Sequence, residues 1–278
     1  MDFSSERVLI AGCGDLGQRV AHRLAAAGAS VWALRRHPGT QEVPWQWLRG
    51  DLAKPGTWSL PERITRVVFS PAPDARDEPS YRAVFIDGLH HLMASLDHDA
   101  CHRILFVSSS AVYGEHAGGW VDEDTPAKPM GFNGRVLLEA ERWLAAQPVS
   151  SVALRLAGLY GPGRTQLIER LREGRARVPR LVGHWSNRIH VDDAASAIVH
   201  LLMQGPVAPV YIGADDTPLP LAELYDYLAG LIGVPLPEAG PAPPGVGSKR
   251  LDNARLRASG FRLAWPDSRQ GYAALIRP

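Results

Sequence analysis

Near the start of the 278-residue chain the apolar run Val8-Leu9-Ile10-Ala11 breaks into Gly12-Cys13-Gly14-Asp15-Leu16-Gly17, after which Leu16, Val20 and Leu24 recur every four residues up to Gly28. This is the pattern of a strand, a tight glycine turn and an amphipathic helix. No other segment constrains the fold as strongly. Glycines at this spacing let the chain turn sharply, let the backbone approach a pyrophosphate and let the helix pack closely, while the helix N-terminus supplies partial positive charge. The segment predicts the first βα unit of a dinucleotide-binding sheet.

The same alternation continues. Ser30 to Leu34, Trp45 to Leu48, Ile64 to Phe69, Arg103 to Val107 and Val152 to Leu156 read as short apolar strands, with helical patterns such as Tyr81 to Leu96 between some of them. Apolar strands separated by helices predict an α/β fold, a doubly wound parallel Rossmann sheet covered on both faces. Beyond Gly163 the pattern loosens into Arg-rich, Pro-rich and helical pieces, including a stripe over Leu219 to Ile232. We therefore expect a Rossmann dinucleotide-binding domain over residues 1–163 and a small C-terminal substrate lobe over 164–278, with 189–213 returning to the first domain. Pro235 to Gly247, rich in proline and glycine, is expected to be a loop.

Thirty basic residues against 29 acidic ones give a net charge of +1. That excludes bulk electrostatic binding to nucleic acid or membrane surfaces. No apolar run approaches the roughly 18 residues of a membrane span, and the polar N-terminus lacks a signal-peptide core. The expected location is cytoplasmic. Cys13 and Cys101 show no metal-ligand spacing. His98 and His102 share a predicted helix face, but no Glu accompanies them as in zinc motifs, so no metal site is expected.

The second strand ends Ala33-Leu34-Arg35-Arg36, about 20 residues past the glycines, where an NAD-binding unit carries an acidic residue for the ribose 2′-hydroxyl. Two guanidinium groups suit a 2′-phosphate instead, which favours NADP, with NAD as the alternative. The competing reading is two solvated charges in a chain whose only lysines are Lys54, Lys128 and Lys249.

Three later segments carry a resemblance. Phe106-Val107-Ser108-Ser109-Ser110-Ala111-Val112-Tyr113-Gly114, Leu154-Arg155-Leu156-Ala157-Gly158-Leu159-Tyr160-Gly161-Pro162-Gly163-Arg164 and Asn187-Arg188-Ile189-His190-Val191-Asp192-Asp193 follow one another in the order found in the extended short-chain dehydrogenases/reductases, the NAD-dependent epimerase/dehydratase group. The chain resembles that family from residue 7 to about 213. Lys249 to Gly260 is more loosely similar to its C-terminal stretch. The resemblance implies that Gly12, Gly14 and Gly17, with Asp15 and Leu16, hold pyrophosphate. It implies that Asp51 and Leu52 border the adenine, that Ser70 and Pro71 flank the cofactor, and that Ala157, Gly158 and Leu159 pass beside the nicotinamide. Ser109 falls where relatives hydrogen-bond the substrate's reacting oxygen. Tyr160, Arg164, Lys249 and Arg250 become candidate substrate contacts, and the Arg-rich stretch from Arg164 to Arg180 is either a diphosphate site or a solvated face. The resemblance also implies a homodimer, paired through Tyr81 to Leu96 and Phe132 to Ala146.

Two departures stand out. In the family's GxxGxxG frame the first glycine is Ala11. More seriously, the family's acid/base pair, a Tyr and a Lys four residues later, is absent: Gly50, Asp124 and Gly245 stand four positions before the three lysines. The helix expected to carry the pair has Phe132 or Asn133 at the first position and Val136 or Leu137 at the second. A Lys beside a Tyr lowers the phenol pKa, so a tyrosine without one donates a proton more readily than it accepts one. Two expectations follow: an NADP(H)-dependent oxidoreductase or epimerase acting on a small carbonyl, hydroxyl or nucleotide-sugar substrate through Ser109 and Tyr113 or Tyr160, with reduction favoured; or a catalytically inactive NADP(H)-binding sensor or structural module. His190 reads as a packed histidine at a helix entry, with Asp192 and Asp193 serving the helix N-terminus.

Overall fold

The structure is a computed structural model and describes residues 2–276. Its first half runs β1 (Arg7–Ala11), α1 (Asp15–Ala26), β2 (Ser30–Arg35), β3 (Gln46–Arg49), β4 (Arg66–Phe69), α2 (Glu78–Arg82), a π-helical turn Ala83–Asp87, α3 (Gly88–Ser95), β5 (Arg103–Ser109), β6 (Trp120–Val121) and α4 (Phe132–Ala145). It continues with β7 (Ser151–Leu156), β8 (Gly158–Tyr160), α5 (Gln166–Arg172), β9 (Arg177–Val178), β10 (Trp185–Ser186), β11 (Arg188–His190), α6 (Val191–Met203) and β12 (Val210–Gly213). The last elements are β13 (Leu219–Pro220), α7 (Leu221–Ile232), β14 (Glu238–Ala239), β15 (Arg250–Leu251), α8 (Ala254–Ala258) and α9 (Ser268–Ile276).

Seven strands form one parallel sheet in the order β12-β7-β5-β4-β1-β2-β3. β1 sits inside it, with Val8 opposite both Val31 of β2 and Arg66 of β4. Its residues Val8, Leu9 and Ile10 are fully buried, which is why this strand is an unbroken apolar run. Strand order reverses beside β1, so the ligand crevice of such a sheet lies at the carboxyl ends of β1, β2 and β4. The expected doubly wound Rossmann sheet is present, and β12 adds a strand beyond those read from the sequence.

Two compact units share the chain. The first holds the chain up to Ser109 together with Phe132–Leu154 and Ala195–Val210. In it two arginines from the sheet close a helix end: Arg66 donates to Leu202 O (2.8 Å), and Arg103 donates to Leu201 O (3.0 Å) and Gln204 O (2.6 Å). These carbonyls belong to the last turn of α6 and just past it, where no intrahelical donor reaches them. The second unit holds Ser110–Gly131, Arg155–Ala194 and the chain from Tyr211 onward. Its core gathers Leu167, Ile168 and Leu171 from α5, Leu224 and Leu228 from α7, and Tyr160 and Tyr272.

Four local expectations are corrected. His98 and His102 share no helix: Leu96 is extended and ends α3, and the Asp97 carboxylate accepts from the Asp99 and Ala100 amides to make a turn instead. The Pro-rich segment is not all loop, because Glu238–Ala239 pairs parallel with β9. Asp193 does not cap α6; its carboxylate accepts from Ala264 N (2.8 Å) and Trp265 N (2.9 Å) and fixes the C-terminal segment. The Arg-rich stretch is not one helix face either. Arg175 pairs with Glu173, Arg177 with Glu238 and Arg180 with Asp226, all beyond the end of α5.

Candidate functional site

The glycine turn is shaped by how closely it passes Pro71. Gly12 has φ +87°, and a Cβ on it would lie 2.3 Å from Pro71 Cα. Only glycine meets both conditions. Gly12 N and Cys13 N both donate to Leu34 O at 3.1 Å, which pins the turn to the end of β2. Gly17, in the first turn of α1, would bring a Cβ within 3.2 Å of Ile10 Cγ2, so it serves close helix–strand packing. Gly14 differs: at φ −82° it is an ordinary N-cap position, and a Cβ there would meet nothing within 4 Å. No side chain caps α1. Asp15 and Leu16 stand in its first turn, Asp15 paired with Arg19 (3.1 Å) and Leu16 buried.

A cleft of about 190 Å³ opens at this edge of the sheet. It is lined by Gly12, Cys13 and Gly14, by Leu34 to His37 past β2, by Gly50 to Leu52, by Ser70 to Ala72 past β4, and by Val84. Ser70 N donates to Ala11 O (2.9 Å) and so sets the Pro71 approach. Asp51 N donates to Thr57 Oγ1 (3.0 Å), and Asp51 O accepts from Trp58 Nε1 (3.1 Å). Leu52 O is 3.0 Å from His91 Nδ1. Arg36 forms a two-nitrogen ion pair with Asp74, which holds the Asp74 carboxyl below its usual range. Both groups are well exposed, so water screens the pair. The Arg35 guanidinium lies 5.7 Å from the centre of the Trp47 ring. Cys13 is buried, and burial pushes its thiol up to about 12, so it stays protonated and unreactive.

The description "NAD dependent epimerase/dehydratase family" matches residues 8–212. The chain belongs to this family. It is similar to the 2-alkyl-3-oxoalkanoate reductase of Stenotrophomonas maltophilia (strain K279a), 30% identical over 257 residues that cover 82% of this chain and 76% of that one. It is also similar to protein YeeZ of Escherichia coli (strain K12), 36% identical over 171 residues, which span 59% of each chain. Among solved structures, a protein from Methylobacillus flagellatus is 37% identical with a TM-score of 0.81, covering 98% of this chain and 97% of that one. MoeE5, solved in complex with UDP-glucose and NAD, is 25% identical with a TM-score of 0.79 and 97% coverage of both chains.

The residues of this family member fit a dinucleotide at the cleft on their own chemistry. A Cβ at Gly14 would meet nothing within 4 Å, so packing does not call for glycine there, and the residue lines the cleft at the start of a helix. The cleft wall contains Gly12, Gly14, Arg35, Arg36, Asp51, Leu52, Ser70 and Pro71 of the sequence candidates. Ser109 ends β5 in the same unit.

Tyr113, Ala157, Gly158, Leu159, Tyr160, Arg164, Lys249 and Arg250 belong to the second unit. Gly158, Leu159 and Tyr160 form β8, paired parallel with β11, and Ala157 N donates to Gly213 O (2.8 Å). Tyr113 is buried; its hydroxyl donates to Asp122 O (2.8 Å) and accepts from Arg155 Nη1 (2.8 Å). The Tyr160 hydroxyl is buried without a partner among the described residues, and burial, with Asp215 nearby, drives its pKa up. His190 packs edge-on against Tyr160 (5.2 Å) and lies 5.1 Å from Trp265, as a packed histidine should. Arg164 N donates to Gly161 O (2.9 Å) across a tight turn. Lys249 is buried, and the Arg250 guanidinium is held between Trp120 (4.9 Å) and Trp185 (4.7 Å).

On α4, Phe132 meets Tyr81 edge-on at 5.3 Å and Val136 is fully buried, so both serve packing. One polar feature of this helix escaped the sequence reading. Glu141 is buried and accepts a hydrogen bond from Ser108, the neighbour of Ser109. Its spacing was the available signal: four residues past Leu137 and three before Leu144, it puts a carboxylate on the apolar stripe.

Proposed function

We propose that the protein is an NADPH-dependent reductase of a small carbonyl compound. The observation that carries this reading is the pair Arg35 and Arg36 on the cleft wall, where the ribose 2′ position of a dinucleotide on the glycine turn would fall. Guanidinium groups bind a phosphate there by charge-assisted hydrogen bonds. The reductase relative from Stenotrophomonas supports a carbonyl substrate; the nucleotide sugar bound by MoeE5 marks the alternative substrate class. When bound, NADPH supplies a hydride. Of this chain's groups, Ser109 is assigned to hold the reacting oxygen, and Glu141 to fix Ser108 and with it the end of β5. Tyr113, whose proton is donated to a backbone carbonyl, takes a positioning part.

Titration with NADPH and NADH, followed by tryptophan fluorescence, tests the cofactor. NADPH is expected to bind in the micromolar range and to weaken at least about tenfold in Arg35→Ala/Arg36→Ala, with NADH little changed. Asp74→Asn releases Arg36 and is expected to tighten NADPH selectively. Equal affinity for both nucleotides in the wild type would overturn the NADP assignment.

A second reading, a non-catalytic NADPH-binding module, is favoured by one observation: Phe132 and Val136 are spent on packing. Turnover separates the two. Under the reductase reading a carbonyl panel consumes NADPH, and Ser109→Ala lowers kcat by about 10²-fold or more while leaving NADPH affinity unchanged. Tight NADPH binding with no consumption supports the module.

A further inference from the structure

A second cavity, of about 420 Å³, lies in the same unit as the nucleotide cleft and shares no lining residue with it. Small-molecule sites commonly have volumes of roughly 300–1,000 Å³. Trp47 and Arg49 of β3 line it, with Thr57, Trp58 and Ser59 of the loop that follows. β3 is an edge strand of the sheet, and residues two apart on a strand share a face, so Trp47 and Arg49 stand on one side of it. The register sets Arg49 beside Arg35 of β2, so the two side chains rise from the same face of strands about 4.8 Å apart. Neither arginine has an ion pair among the described residues, and the Arg49 guanidinium makes no hydrogen bond there either. Asp51, the acid closest to Arg49 along the chain, is paired with Lys54 (4.0 Å) and accepts from Ala53 N (3.1 Å). Like charges side by side on neighbouring strands repel, and a bound anion relieves the repulsion.

The residues that line this cavity also hold the wall of the nucleotide cleft. Gly50 and Asp51 line that cleft, and Trp58 and Thr57 support them. Trp58 Nε1 donates to Asp51 O (3.1 Å), and a Cβ on Gly50 would lie 2.4 Å from Trp58 Cβ. Thr57 Oγ1 accepts from Asp51 N (3.0 Å) and donates to Lys54 O (2.8 Å). Arg35, on the cleft wall, lies over the Trp47 ring at 5.7 Å. The Thr57 hydroxyl and the Trp58 Nε1 are thus committed to the backbone. Arg49 and Ser59, whose hydroxyl makes no hydrogen bond among the described residues, are the polar side chains the cavity leaves open beside two half-buried indole rings. Two indoles, one guanidinium fork and one hydroxyl match a flat aromatic ring that carries a single carboxylate. A sugar ring asks for more free polar partners than these.

We infer that the second cavity binds an aromatic monocarboxylate, its ring against Trp47 and Trp58 and its carboxylate on Arg49, and that the bound acid opposes NADPH. The carboxylate and the cofactor's 2′-phosphate draw on guanidinium groups that stand side by side in the sheet, so each anion weakens the other. The coupling is reciprocal. NADH has no 2′-phosphate and escapes it. The coupling rests on the NADP reading of Arg35; the site itself does not.

Calorimetric titration of the full-length protein with 2-naphthoate, 2-naphthylmethanol and inorganic phosphate tests the site. 2-Naphthoate is expected to saturate, with affinity at least about tenfold weaker in Arg49→Gln and partly kept in Arg49→Lys, while the alcohol and phosphate fail to saturate over the same range. Arg49 is exposed and has no ion pair to lose, so both variants should keep the wild-type Tm. Ser59→Trp, also at an exposed position, fills the cavity and should block 2-naphthoate as well. No saturation by 2-naphthoate, unchanged affinity in Arg49→Gln, or phosphate binding tighter than 2-naphthoate would each overturn the site. With 2-naphthoate saturating, NADPH is expected to bind at least about threefold more weakly, to a plateau, and NADH as before. NADPH affinity unchanged by 2-naphthoate would overturn the coupling. Equal weakening of NADPH and NADH with no plateau would place the acid in the nucleotide cleft and overturn the inference. Binding of 2-naphthoate to a protein that binds no NADPH removes the NADP reading, and the coupling with it, but leaves the cavity site standing; NADPH binding without 2-naphthoate binding does the reverse.

Discussion

Unfolding measured from about pH 5 to about pH 9 is expected to show the protein losing stability as the pH rises, and Asp215→Asn is expected to remove most of that loss. Asp215 is buried to 2% exposure. Burial pushes its carboxyl up to about 8, the neighbouring Asp267 charge adds to this, and hydrogen bonds from Thr217 and Ser268 only partly offset it. Thr217 N reaches Oδ1 at 3.2 Å, whereas Oδ2 has no partner among the described residues. The folded protein therefore keeps a proton that the unfolded chain has already released above about pH 4. Wherever the folded state binds more protons, stability falls with pH, here by up to about 1.4 kcal/mol per pH unit between the two pKa values. Above about pH 8 the fall levels off. The expected loss is several kcal/mol across the window, or several degrees or more in Tm. Asn keeps the shape and an acceptor for Thr217 N but has no charge to bury, so wild type and variant should converge at acid pH and separate at alkaline pH. Parallel curves over the whole range would mean that Asp215 is solvated or paired in solution, and the argument would fail. The Tyr160 hydroxyl shares this pocket, so a charge on Asp215 would also press against a group that burial already keeps protonated.

Much of the fold could be read from the sequence because its signals are local. The apolar run of β1, the glycine spacing and the four-residue stripe of α1 all lie between Arg7 and Ala26, and each element makes its own periodicity. What escaped was long-range or reversed a local rule. Arg36 and Asp74 are 38 positions apart, so no spacing argument shows that one of the two cleft arginines is already engaged. Arg155 donates to the Tyr113 hydroxyl across 42 positions, and that hydroxyl gives its own proton to Asp122 O, so the candidate proton donor has its proton in use. Asp193 stands where a helix-capping acid belongs, yet a segment 71 residues away claims its carboxylate. Lys249 and Asp215 were invisible as buried charges for the opposite reason. Charged residues are ordinarily exposed, so nothing in the sequence marks either Lys249, a candidate substrate contact, or Asp215 as buried.

The two glycines that open the cleft are expected to respond to the same substitution in opposite ways. Gly12→Ala should lower stability by about 2–5 kcal/mol, because alanine at φ +87° costs about 1–2 kcal/mol and the added Cβ would sit 2.3 Å from Pro71 Cα, a backbone atom that cannot swing aside. Relief requires the chain at Ser70 and Pro71 to move, and Ser70 N is tied to Ala11 O in the central strand. Nucleotide affinity would fall with it, since that movement displaces one wall of the cleft. Gly14→Ala should leave Tm within about a degree or two, as φ −82° suits alanine and its Cβ meets nothing. If the turn cradles a pyrophosphate, the methyl at Gly14 occupies the approach of the phosphate oxygens to the start of α1, and NADPH affinity should drop at least about tenfold with the fold intact. Thermal unfolding and nucleotide titration on both variants distinguish the possibilities. Loss of affinity in Gly12→Ala alone would mean that the glycines serve packing rather than a ligand, whereas loss in Gly14→Ala at unchanged Tm ties the turn to nucleotide binding, because no element of the protein's own structure requires that residue to lack a side chain.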